Sequence, residues 1–97
     1  MIIRLSPTTP PSLDDLDRFD RLHSTCPGEL SEMATGPLCR WDDDDPDHVW
    51  LAIARARTVV TEASGDAAAF DSMIHYAASK GWLDAAGTHV RAHVERT

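Results

Sequence analysis

Ninety-seven residues, 42% of them hydrophobic and 26% charged, with a formal net charge of −7, describe one ordinary globular domain over residues 1–97. That acidity excludes a broad nucleic-acid or membrane-surface footprint, either of which needs clustered Lys and Arg. Residues 11–50 hold eleven acids and three bases while residues 51–97 balance at five and five, so charge-driven contacts are expected in the N-terminal half.

The bases are eight Arg to one Lys, and Asn and Gln are absent, a bias typical of a GC-rich bacterial genome. The opening "MIIRLSPTTPPS" does not read as a signal peptide, and the longest apolar run, Val49–Ala54, is far short of a membrane span. Two cysteines are too few for a disulfide framework. A cytoplasmic protein without a membrane segment is expected.

The periodicity predicts an all-α fold, a small bundle of about four helices. The proline-rich "SPTTPPS" leads in, and Ser12 opens a helix over 13–25 with Leu13, Leu16, Phe19 and Leu22 as its apolar stripe. Residues 27–45 then form a long irregular connection, with one helical turn expected at 29–34. Asp45 and Pro46 start the second helix, 46–64, whose seam of Val49, Ile53, Ala56, Val60 and Ala63 recurs at steps of four and three. Asp66 caps the third, 67–80, closed by Gly81 and Trp82 in the pattern of a Schellman motif. Asp84 caps the fourth, 85–96, which carries Ala86, Val90 and Val94 and tolerates Gly87 at about 1 kcal/mol.

The stretch "RWDDDDPDHVW" holds more acid than a helix start requires, because the dipole effect fades beyond the first turn. Asp42, Asp43 and Asp44 are therefore surplus, read either as a solvated loop or as a docking surface for a basic partner. Calcium is not expected there: counted from Asp42, the sixth residue is Asp47 and the twelfth Ile53, where an EF-hand needs Gly and Glu. If the Val49 seam faces inward, Trp50 and Leu51 face outward. With Trp41 from the loop they form a candidate interface.

The candidate metal ligands are His23, Cys26 and Cys39, or the pair His89 and His93. In a helix His23 lies within the apolar stripe one turn before Cys26, and His89 and His93 stand four apart, close enough to share a cation. Against the first set, Cys26 falls at a helix C-terminus, which disfavours a thiolate, and Cys39 is thirteen residues away. No phosphate loop, nucleophile elbow or paired-acid arrangement is visible, so no catalytic residue and no cofactor is assigned.

Three functions follow as expectations. The first is a non-enzymatic protein-binding module, either self-associating or an accessory or regulatory subunit, using Trp41, Asp42, Asp43, Asp44, Trp50 and Leu51. The second is a metal- or small-ligand-binding protein, or small enzyme, using the histidines and cysteines above. The third is a helix-turn-helix DNA binder reading with residues 85–96, which the overall charge opposes.

Overall fold

The computed structural model describes residues 1–6, 11–14, 22–26, 38–42, 44–63 and 65–96. It overturns the all-α helical bundle. The described residues form a mixed, curled six-stranded sheet with two short helices. The strands are β1 (Ile2–Arg4), β2 (Ser12–Asp14), β3 (His23–Cys26), β4 (Cys39–Asp42), β5 (Asp45–Ala52) and β6 (His89–Arg96). The helices α1 (Ile53–Glu62) and α2 (Ala67–Ser79) lie between β5 and β6 in the chain. Across the sheet the order is β2-β1-β3-β6-β5-β4. β3 runs parallel to both β1 and β6, and the remaining pairs are antiparallel.

The expected helix over 13–25 begins and ends in strands instead, β2 and β3, and its middle, with Leu16 and Phe19, lies outside the described residues. So does the helical turn expected at 29–34. The expected helix 46–64 splits at residue 52: β5 comes first and α1 follows without a loop, Ala52 serving as an extended N-cap. Its seam holds only within α1, where Ala56 and Val60 are buried.

The helix expected over 85–96 is strand β6, which removes the DNA-reading element. "HVRAHVER" alternates along its length, with Val90, Ala92 and Val94 buried and His93 and Glu95 exposed. That period of two defines a half-buried strand. Only the helix expected over 67–80 coincides with an observed one. Asp66 caps α2 by accepting from the Ala69 N–H at 3.0 Å, and the Trp82 and Gly81 N–H groups close it on the Ala77 and Ala78 carbonyls.

Asp45 and Asp84 do cap backbone, but of turns rather than helices. The Asp45 carboxylate accepts from the Asp47 N–H at 2.9 Å. The Asp84 carboxylate accepts from the N–H groups of Thr88 and His89, closing a loop that feeds β6. A carboxylate that bonds a backbone N–H a few residues ahead serves an Asx turn as readily as a helix start. Gly87, φ +71°, supplies the left-handed residue of that loop, and a Cβ there meets nothing within 4 Å. Gly87→Ala is therefore expected to cost only backbone strain, about 1–2 kcal/mol, read as a lower urea midpoint at unchanged slope.

Ile3, Val94, Ala92, Val90, Val49, Leu51, Cys26 and Cys39 bury one face of the sheet in the same cluster as Ala56 and Val60 of α1 and Phe70 and Ala77 of α2. Ser24, fully buried among them, donates to the His93 carbonyl at 2.9 Å, so its hydroxyl is satisfied. The alternate residues of the same strands make up the opposite face, and that face is polar.

Candidate functional site

Period two places His23, His48 and His93 on the polar face, and strand pairing brings them into one row. His23 stands opposite His93 across β3 and β6, and His48 opposite His93 across β5 and β6. Adjacent strands lie about 4.8 Å apart, so their side chains meet. The His48 and His93 rings pack edge-on, centroids 5.5 Å apart. In the next row Arg91 pairs with Trp50, and Trp50 pairs with Arg40, whose guanidinium lies 5.9 Å from the indole centroid. The Arg91 N–H bonds the Trp82 carbonyl at 2.9 Å, which sets Trp82 on the other side of Arg91.

Turn chemistry supplies the carboxylates. Asp42, Asp44 and Asp45 lie at the reversal between β4 and β5, where the Asp44 N–H donates to the Asp42 carboxylate at 3.0 Å. The Arg91 Nη2 donates to Asp45 Oδ2 at 2.8 Å, and its Nε lies 3.5 Å from Asp42 Oδ2. His48 Nδ1 stands 2.8 Å from Asp45 Oδ2 and 3.3 Å from Arg91 Nη2. The 2.8 Å contact is the hydrogen bond: Nδ1–H donates to the carboxylate, and in the neutral ring Nε2 is then the acceptor.

Asp45 is held below the usual carboxylate range by the Asp47 N–H foremost; desolvation, next in size, opposes this, and the His48 hydrogen bond and the charges of protonated His48 and Arg91 add to the lowering. A lowered folded-state pKa stabilises the fold above the unfolded value, about 3.9, and that contribution is lost as pH falls through the folded value. Asp45→Asn keeps an acceptor for the Asp47 N–H but drops the charge. The stability gap between wild type and this variant should be full near pH 6 and should shrink below about pH 4, measured by urea unfolding at each pH.

These side chains border a cleft of about 1090 Å³. His23, His48, Arg91, His93 and Glu95 line it from the sheet, and Ala69, Ser72, Met73, Tyr76 and Ala77 from α2, with Trp82 following. Glu95 Oε2 lies 3.7 Å from His23 Nε2, beyond hydrogen-bond reach, and His23 Nδ1 is buried without a hydrogen-bond partner among the described residues. One wall of the cleft is thus polar and rich in imidazole, the other largely apolar.

Of the expected metal ligands, Cys26 and Cys39 are buried on the core face, on strands separated by β6 and β5. His23 points to the opposite face. Burial pushes the Cys39 thiol up to about 12, leaving it protonated. His89 and His93 share a face but stand about 13 Å apart along a strand, because four residues there span far more than one helical turn. His89 instead meets Asp84 and Thr88. Among the described residues no three His, Cys, Asp or Glu side chains are arranged to hold a metal ion.

Of the expected interface, Leu51 is 0% exposed, and Trp41 packs against the core from the same face. Trp50 is half-buried beneath Arg40, Asp42 faces Arg91, Asp44 is exposed, and Asp43 lies outside the described residues. The seam that was to throw Leu51 outward fails because residues 49–52 are strand. Sequence reasoning missed His48, Asp45, Arg91, Glu95 and the α2 flank as members of one site. The alternation in "HVRAHVER" was the available signal, since it alone places Arg91, His93 and Glu95 on one face.

No family model matches the chain, nor does any curated protein or solved structure. Among the described residues no helix is long and apolar enough to cross a membrane.

Proposed function

We propose that the protein binds a small organic molecule in the cleft between the histidine row and α2. One observation carries this reading: polar side chains from three strands and largely apolar ones from α2 and Trp82 line the same cavity. A few oriented polar groups set against an apolar wall is the usual composition of a small-ligand site. His48 is fixed by Asp45 and presents an acceptor nitrogen, while Met73 and Trp82 offer contact area.

The test is an amide-shift titration with a panel of small aromatic fragments, repeated on Ala69→Trp, which fills the cleft from α2. Shifts concentrated at His23, His48, Arg91, His93 and α2, and lost in the filled variant, are expected. Shifts scattered over the surface, or retained in Ala69→Trp, would count against the cleft.

A protein partner is the second reading, at a place other than the one expected from the sequence. Tyr76 and Trp82 are 58% and 44% exposed and pack edge-on at 5.9 Å, and exposed paired aromatics favour an interface. Of the residues that first suggested a partner elsewhere, Leu51 is buried and Asp42 contacts Arg91 within the chain, while Asp44 is exposed. Concentration-dependent light scattering of the wild type and of Trp82→Ser separates a self-associating surface from a cleft that merely contains Trp82.

A further inference from the structure

The polar wall has a definite sign. Among the described residues Arg91 is the one Lys or Arg lining the cleft, and its charge is already met by Asp45 at 2.8 Å and Asp42 at 3.5 Å. Glu95 lies beyond hydrogen-bond distance of His23 and is matched by no Lys or Arg contact among the described residues. Among the described residues, one guanidinium stands against three carboxylates, Glu95 on the wall and Asp42 and Asp45 behind Arg91, a sum of −2 while the imidazoles are neutral. The whole-chain charge of −7 adds a field of the same sign at longer range.

His48 reinforces that preference through the nitrogen it leaves open. His48 commits Nδ1–H to Asp45, so Nε2 is an acceptor. His23 turns Nε2 toward Glu95 and keeps its Nδ1 buried, so it offers a ligand no second acceptor. An anion entering the cleft would meet acceptors and net negative charge. A protonated amine, which carries only donors, is complementary to both. Facing it, Trp82 supplies an indole π-surface that attracts cations, much as Tyr76 already holds Lys80 Nζ 5.5 Å from its ring centroid.

We propose that the cleft selects an organic cation, a primary amine on an apolar or aromatic body, with the ammonium at Glu95 and the body along Met73 and Trp82. This rests on the small-molecule reading above, and the experiment separates the two. The probes are 2-phenylethylamine, 2-phenylethanol and 3-phenylpropionate, alike in body and different in charge. They are titrated by amide shifts and calorimetry at about pH 8, where histidines are ordinarily neutral.

The amine is expected to bind about three- to tenfold tighter than the alcohol, and the carboxylate weakest. Glu95→Gln, at a half-exposed side chain where folding is not at stake, should remove the amine's advantage over the alcohol. Equal affinities for amine and alcohol, or a preference for the carboxylate, would overturn the charge selection and leave the cleft standing as a ligand site. If none of the three shifts cleft resonances in the wild type, while circular dichroism shows it folded, both readings fall together.

Discussion

Leu51→Ala should lower the free energy of unfolding by about 2–5 kcal/mol, whereas Ile53→Ala, two residues on, should cost clearly less. Leu51 is 0% exposed, stands opposite Val90 of β6 and Cys39 of β4, and belongs to the buried cluster under the helices. Its truncation opens a cavity that neighbours on two flanking strands can close only by moving backbone. Ile53 begins α1 and is only partly buried, so water already reaches part of what its loss would expose. A helix running through residues 49–63 requires the reverse ranking, with Ile53 on the seam and Leu51 outside it. Urea unfolding of the two variants decides the matter, provided the slopes match that of the wild type.

Phe70→Ala is expected to cost about 3–5 kcal/mol, a large share of the 5–15 kcal/mol typical of a whole domain. Phe70 is the largest of the fully buried side chains, and with Ala77 it accounts for the buried positions of α2. The Arg57–Asp71 ion pair ties α2 to α1, but both side chains are about half exposed, and such pairs contribute little. Anchorage of α2 to the sheet therefore depends on Phe70. Because α2 is one wall of the cleft, hydrogen exchange of its amides should accelerate in this variant before the sheet is affected. Fragment binding should weaken in parallel. A variant that lost stability yet kept protection in α2 would mean that the helix is held from elsewhere.

The helices could be read locally and the sheet could not. α2 announces itself through Asp66, Gly81 and a face of Phe70, Ile74 and Ala77, all within one stretch of chain. α1 shows its Ala56 and Val60 step, and the absence of any loop before it let Val49 and Ile53 seem to belong to the same stripe. β5 is strand because Val49 and Leu51 face Ala92 and Val90, some forty residues away, and no neighbouring residue reports that pairing. The aspartates compounded the error, since Asp45 and Asp84 satisfy backbone N–H groups in turns with the side-chain chemistry that starts helices. Within β6 the alternation was there to be seen, but two histidines four apart fit a helix equally well on paper.

The site was legible only in fragments for the same reason. His23 and His93 stood out as unusual, but their companions were assigned along the chain, to Cys26 and His89. The sheet pairs them with each other and with His48. A strand turns successive side chains to opposite faces, so His23 and Cys26, three apart, part company. Arg91 meets Asp45 across forty-six positions of sequence.

The order of the strands also bears on how the molecule behaves when crowded. Its two borders are β2, three residues long, and β4, four residues long, and each displays charge: Asp14 faces Arg4 on one, while Arg40 is exposed on the other. Beyond Trp41 the pairing of β4 with β5 slips out of register, so that margin does not stay straight for long. A rim so brief and so charged is a poor template for another strand, and the long strands β5 and β6, each apolar on one face, lie in the interior of the sheet, out of reach of a neighbour seeking to extend it into a fibril.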